Sequence, residues 1–270
     1  MPELIRDQLV VTDALKRGVR PTKGILFQKF TDGCGHELLK PIASNTVVLG
    51  GAILALEKLT GVQSAFKPNT LNDILGIPCV GTTPGSETIA LFGCGTGGAQ
   101  LDWGNIVAPD IKQNNVIDLI PMRYASTLTG EDAPKYFMKK PNDDGSTYSW
   151  FLKEFASTPV IKSHWKNAVD STSDGTEIVS DISDSGRTEG IETYAQFELT
   201  LNTRDMYEYF NATGNLAMAR YNTFGFYTGE KVAASGEYAN VRLYAVVTFN
   251  NRDVSIESSA SFVYRVYSLV

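Results

Sequence analysis

The residues of this 270-residue chain that could do chemistry are few and scattered. Gly93-Cys94-Gly95-Thr96-Gly97-Gly98 follows a short apolar run, Glu87–Phe92, and so invites a test as a phosphate cradle. That chemistry needs a helix directly after the glycines, so that free amides and the helix dipole meet the anion. Here Gln100-Leu101-Asp102-Trp103-Gly104-Asn105 follows, without helical periodicity. There is no Gly-Lys-Ser/Thr, and Asp118, near the distance of a Rossmann acidic residue, lacks a βαβ frame. The cluster therefore reads as a glycine-rich surface loop able to touch a partner backbone closely.

Cys34-Gly35-His36 is the one Cys/His pair close in sequence. A zinc site needs about four ligands, usually from paired spacings. Cys79, Cys94 and His164 are isolated, so His36 reads as a loop residue that hydrogen-bonds locally. A nucleophile triad needs a histidine, and neither His36 nor His164 lies in a recognisable frame. Ser86, in Pro84-Gly85-Ser86-Glu87-Thr88, lacks the second glycine of a nucleophile elbow. Asp143-Asp144 and Glu131-Asp132 sit beside Gly or Pro and read as solvated turns. The expectation is no catalytic residue, no cofactor and no metal. A glycosidase-like pair of carboxylates on separate strands stays open as the enzyme alternative.

Composition narrows the classes further. With 43% hydrophobic and 20% charged residues the chain can bury a sizeable core and is no disordered tail. The net charge of −6, with no basic cluster larger than Lys139-Lys140 or Lys16-Arg17, argues against specific nucleic-acid binding. Three widely spaced cysteines read as free thiols made in a reducing cytosol. The first residues show no secretory signal pattern, and the longest apolar stretch, Val47–Leu56, is too short for a bilayer. No membrane partner is expected.

The elements that must position these residues are mostly strands. Residues 1–20 predict a short helix or an extended arm, with equal support for each. Residues 45–61 predict a helix with Leu49, Ile53, Leu56 and Thr60 on one face, Ser44 or Asn45 as cap and Gly61 as stop. The Gly50-Gly51 pair weakens it, and a strand at Thr46–Leu49 before a shorter helix is the alternative. Asn69–Leu75 adds a helical turn. Strands are predicted over Glu87–Phe92, Val116–Tyr124, Tyr148–Phe155 and Val160–Trp165, and residues 169–190 read as a long exposed loop. In residues 191–201 Ile191, Ala195, Phe197, Leu199 and Leu201 share one face. Thr203 reads as the cap of a short helix, Arg204–Phe210. Thr223–Thr228 follows, and in residues 240–249 Val241, Leu243, Ala245, Val247 and Phe249 alternate against Tyr244. A turn at Asn250–Asp253 leads to a last strand, Phe262–Leu269, with Arg265 outward. This predicts a mainly β chain: an antiparallel β-sandwich or jelly-roll-like domain over residues 86–270, after an N-terminal arm and small helical or irregular region over 1–85.

Arg220-Tyr221-Asn222-Thr223-Phe224-Gly225-Phe226-Tyr227-Thr228-Gly229, the run Glu237–Phe249, Phe262-Val263-Tyr264-Arg265-Val266-Tyr267 and Val48-Leu49-Gly50-Gly51-Ala52 together have a distinct texture. It is acidic, rich in Gly and Tyr, and heavy in loops. In this the chain resembles virion structural proteins of tailed bacteriophages. The resemblance implies a capsid-associated, neck or tail component, made in the host cytoplasm and located in the virion. It implies that the partners are copies of itself and other virion proteins. A carbohydrate- or receptor-binding β-sandwich module of a fibre or tail is the alternative, and a groove lined by Trp103, Trp150 or Trp165 would mark it.

Without site chemistry, specificity must lie in surface shape. Tyr194, Tyr244 and Tyr267 fall on the outward phase of their strands, and interfaces favour tyrosine. Leu4, Ile5, Leu9 and Phe27 are apolar residues of the arm, too many for a free tail. These seven are the expected homo-oligomer interface. The arm, roughly residues 1–40, is expected to contact neighbours rather than its own domain.

Overall fold

A computed structural model describes residues 23–66, 69–78, 85–95, 100–102, 105–107, 122–125, 135–166, 174–178, 191–205, 220–253 and 259–268. Leu4, Ile5, Leu9, the segment 1–20, Cys79, Trp103 and Asp118 lie outside them, as does most of 169–190. The fold is mainly β with short helices. Twelve strands form one sheet in the order β10-β9-β11-β14-β1-β2-β13-β12-β3-β8-β6, with β7 pairing β8; β4 and β5 form a separate ribbon. The strands are β1 Lys23–Thr31, β2 Glu37–Val47, β3 Thr88–Gly95, β4 Gln100–Asp102, β5 Asn105–Val107, β6 Met122–Ala125 and β7 Tyr136–Pro141. They continue with β8 Thr147–Glu154, β9 Val160–Lys166, β10 Asp174–Glu177, β11 Ile191–Leu201, β12 Arg220–Lys231, β13 Tyr238–Asp253 and β14 Ala260–Ser268. Among the described residues, helices run over α1 Leu49–Thr60 and α2 Leu71–Leu75, and residues 203–205 begin a further helical turn.

The sheet folds over on itself at β2. The stretch Glu37–Ser44 pairs antiparallel with β1, while Asn45–Val47 pair with β13. The ladder slips between Leu26 and Phe27, opposite the neighbourhood of Pro41, which has no N–H to donate. The two halves then face each other in a sandwich-like core. Leu26, Phe197, Leu199, Phe262 and Tyr264 from one half meet Phe92, Phe224, Phe226, Val247 and Phe249 from the other. Tyr264 stacks on Phe226 with ring centroids 3.7 Å apart, and Phe224 meets Phe262 at 5.1 Å. Each such ring pair adds about 0.5–1.5 kcal/mol to the area it buries.

This topology corrects the expected boundary at residue 85/86. β1 sits between β14 and β2 in the sheet, so residues 23–47 are integral to it. Ile25, Leu26 and Phe27 belong to that inserted strand; Leu26 is fully buried and Phe27 nearly so. The expected arm therefore does not extend over residues 23–40.

A second core lies on the other face of β12 and β13, where Leu91, Leu152, Tyr227, Val241, Leu243 and Val246 pack with Val48 and Leu71 of the helical segment. The alternation expected through residues 240–249 fails here for a specific reason. Phe226 pairs with Ala245 but Tyr227 with Leu243, leaving Tyr244 as an extra residue. That bulge switches phase, so Val241 and Leu243 join the helix-side core while Val247 and Phe249 join the inter-sheet core. Nor is Asn250–Asp253 a turn: β13 runs on to Asp253, pairing with Arg220.

The helix begins later than the predicted residue 45, as the strand-first alternative had it. Val48 is its N-cap, without a side-chain cap, and Gly61 closes it in the left-handed conformation. Its inward face is Gly50, Gly51 and Leu54, not the Leu49/Ile53/Leu56/Thr60 face. Gly51 is required because a Cβ there would lie 2.1 Å from the Tyr244 carbonyl oxygen. The bulge thus presents a carbonyl to the helix start, where the Val48 N–H also donates to it at 3.1 Å. α2 carries a capping box between Thr70 and Asp73, and its Asn72 side chain bonds both Tyr238 O and Val241 N.

Candidate functional site

Three places gather polar or reactive groups. The first is on the face of β9, β11, β14 and β1 turned away from the inter-sheet core. Tyr194, Tyr267 and Arg265 do project to that side, as period two requires, yet all three are buried. The Arg265 guanidinium lies 4.3 Å from the Tyr194 ring centre and 5.3 Å from that of Phe27, and its Nε donates to Gln196 Oε1 at 3.0 Å. His164 stacks on Tyr194 at 5.6 Å, with Nε2 3.2 Å from the tyrosine hydroxyl, and Tyr267 meets Tyr194 at 5.2 Å. A cation held between rings removes both from water. The expectation that Tyr194, Tyr244, Tyr267 and Phe27 form a contact surface is therefore corrected. Tyr194 is 1% exposed, and the others are buried as well. Tyr244 is the bulge residue beneath α1, so its phase could not be read from alternation.

The second place is a buried polar centre. Lys153 of β8 donates to Asp205 Oδ2 at 2.6 Å and to Thr200 O at 3.0 Å. The Tyr136 hydroxyl of β7 donates to the other Asp205 oxygen. The side chains of Lys153 and Asp205 are 7% and 1% exposed. Asp205 is fixed by a capping pair, its N–H donating to Asn202 Oδ1 and its carboxylate accepting from Asn202 N, both at 2.8 Å. The cap is thus Asn202, one residue before the expected Thr203, and of Arg204–Phe210 only the first two residues fall within the described residues. Cys94 of β3 is buried nearby. Burial, then the Asp205 carboxylate, pushes its thiol far above the ordinary range, with Lys153 opposing. A thiol so held is packing material rather than a nucleophile. Gly93, Cys94 and Gly95 are strand residues paired with β12, not the surface loop expected.

The third is an open cleft of about 1010 Å³, walled by Leu54 and Lys58 of α1, Ile89 of β3, Phe155 and Pro159 of the β8–β9 turn, and Phe197 of β11. Two carboxylates line it, Glu87 and Glu154. Glu154 Oε1 is engaged by Lys231 Nζ at 2.7 Å and the Tyr238 hydroxyl at 2.8 Å. None of the three tryptophans lines the cleft among the described residues, and Trp150 is buried in the inter-sheet core. No family model, curated protein sequence or solved structure matches the chain. Its own surface must supply the argument for function.

That surface has two features whose extent the sequence did not show. The tip of the β1–β2 hairpin brings donor atoms of Asp32, Cys34 and His36 within 4.8 Å of one another. A run of large apolar side chains is exposed along α1 and just beyond it: Leu49, Leu56, Leu59, Val62 and Phe66. The expected Leu49/Leu56 face is thus real, but it points to solvent. None of the described helices is long and apolar enough to cross a membrane.

Proposed function

We propose that this chain is a non-enzymatic structural subunit of a tailed-bacteriophage virion, working by multi-copy assembly with itself and with neighbouring virion proteins. One observation carries the assembly reading. α1 is anchored to β13 on its Gly50/Gly51/Leu54 face, while Leu56 (45% exposed), Leu59 (83%), Val62 (68%) and Phe66 (47%) stand in water. Several large apolar side chains exposed together on a docked helix and the segment just after it mark an association site. A second copy of the chain is the occupant the reading commits to, since isologous or ring contacts are the common solution for such subunits. The virion assignment rests on the resemblance of the Tyr- and Gly-rich strand segments, now seen to form β12, β13 and β14. The sugar-binding alternative is weaker, because among the described residues no tryptophan face lines the cleft.

Sedimentation and electron microscopy of the purified chain test this. The wild type should form a particle of fixed copy number. Leu56→Asp/Leu59→Asp should run as a folded monomer with an unchanged circular dichroism spectrum. A wild type that stays monomeric at high concentration, or a variant that assembles equally well, refutes the reading.

A further inference from the structure

We propose that the β1–β2 hairpin tip is a binding site for a zinc-class divalent cation, held by Asp32, Cys34 and His36. The three ligand atoms, one carboxylate oxygen, one thiol sulfur and one ring nitrogen, all lie within 4.8 Å of each other. A tetrahedral zinc with bonds of about 2.0–2.3 Å places its ligands about 3.3–3.8 Å apart, so the tip has to contract by about 1 Å. The Asp32 Oδ2 to His36 Nδ1 distance, 3.0 Å, is already shorter than that.

The tip is organised for this before any ion arrives. Asp32 Oδ1 accepts from the amides of Cys34 and His36, both at 2.8 Å, which orients the carboxylate and leaves Oδ2 toward the imidazole. The turn itself is closed by backbone bonds, Asp32 N to His36 O at 2.9 Å and Gly35 N to Asp32 O at 3.0 Å. Gly35 takes φ +87°, a conformation side chains disfavour, and this bend puts residues 32, 34 and 36 on one side. A Cβ at Gly33 or Gly35 would meet nothing within 4 Å, so the approach is open.

Ligand type decides the metal. Thiolate and imidazole favour a borderline-soft ion over magnesium or calcium, and three protein ligands leave a fourth position for water. Cys34 and His36 are exposed, and the one side-chain contact His36 makes here, Nδ1 to Asp32 Oδ2 at 3.0 Å, is between two of the proposed ligands and gives way to the ion when it binds. Asp32 joins the Cys34/His36 pair only because the hairpin turn folds it back on them.

Cobalt(II) titration of the full chain, kept reduced with a phosphine, tests the site. One equivalent should bind, with a thiolate-to-cobalt charge-transfer band that zinc abolishes and magnesium does not. Cys34→Ser should remove the band, and His36→Ala should weaken cobalt binding roughly tenfold or more. Because the backbone bonds close the turn without either side chain, both variants should keep the wild-type circular dichroism spectrum. Absence of the band at millimolar cobalt, or its persistence in Cys34→Ser or at full affinity in His36→Ala, overturns the proposal.

Discussion

Removing the Asp205 carboxylate is the sharpest perturbation of the fold. In Asp205→Ala three groups lose this acceptor at once. Lys153 keeps the Thr200 carbonyl, at 3.0 Å, and the Tyr136 ring, 5.3 Å away, but no anion in place of Asp205, while its side chain stays 7% exposed. The Tyr136 hydroxyl and the Asn202 amide lose their acceptor. Breaking one side of a buried ion pair costs about 3–5 kcal/mol, because a charge is left without compensation. The lost cap adds about 1 kcal/mol. Against a total stability of about 5–15 kcal/mol for a typical domain, the variant should be severely destabilised or unfolded. Lys153→Met alone should cost about 3 kcal/mol, because the buried carboxylate loses its 2.6 Å ion pair. Lys153→Met/Asp205→Asn removes both charges, keeps an acceptor oxygen for the Asn202 N–H, and turns an amide NH2 toward the Tyr136 hydroxyl, which can accept from it. It should therefore lie within about 2 kcal/mol of wild type, well short of the two single losses added together. Urea denaturation followed by circular dichroism gives all four corners of the cycle, with Asp205→Asn as the second single variant. An Asp205→Ala loss below about 1 kcal/mol, or strict additivity in the cycle, would refute the claim that this pair is a coupled buried unit.

Three further outcomes are expected. Gly51→Ala gains about 1 kcal/mol of helix propensity but drives a Cβ to 2.1 Å from the Tyr244 carbonyl oxygen. Overpacking of about 1–3 kcal/mol wins, so thermal unfolding should occur at lower temperature, and a raised midpoint would contradict the docking of α1. Tyr194→Ser should destabilise the monomer by about 3–5 kcal/mol, since the ring is buried against Arg265, His164 and Tyr267. Chemical denaturation measures this, and an unchanged midpoint would restore Tyr194 to the surface. In native protein Cys34 should alkylate rapidly and Cys94 only on unfolding, because burial and then Asp205 hold the Cys94 thiol protonated. Peptide mapping after timed alkylation reads both, and equal rates would refute it.

Local order was legible in the residues themselves. The period-two run of residues 191–201 is β11, with Phe197, Leu199 and Leu201 in the inter-sheet core. Gly61 ends α1, and the predicted turn over Asn69–Leu75 became α2. Such features depend on neighbours a few positions apart, and one sequence carries that information in its spacing. Tertiary structure decided the rest. Whether Lys23 faces Tyr267, or Lys153 meets Asp205, depends on strand pairing across long separations. Tyr244 looked like an outward residue because the alternation around it was unbroken. Its bulge exists only against β12, and a shift of one residue exchanges the faces of everything beyond it. The apolar residues of α1 could be counted from the sequence. Which of them met the sheet was decided by where two glycines let a helix approach a carbonyl, and the outward leucines are what that approach left in water.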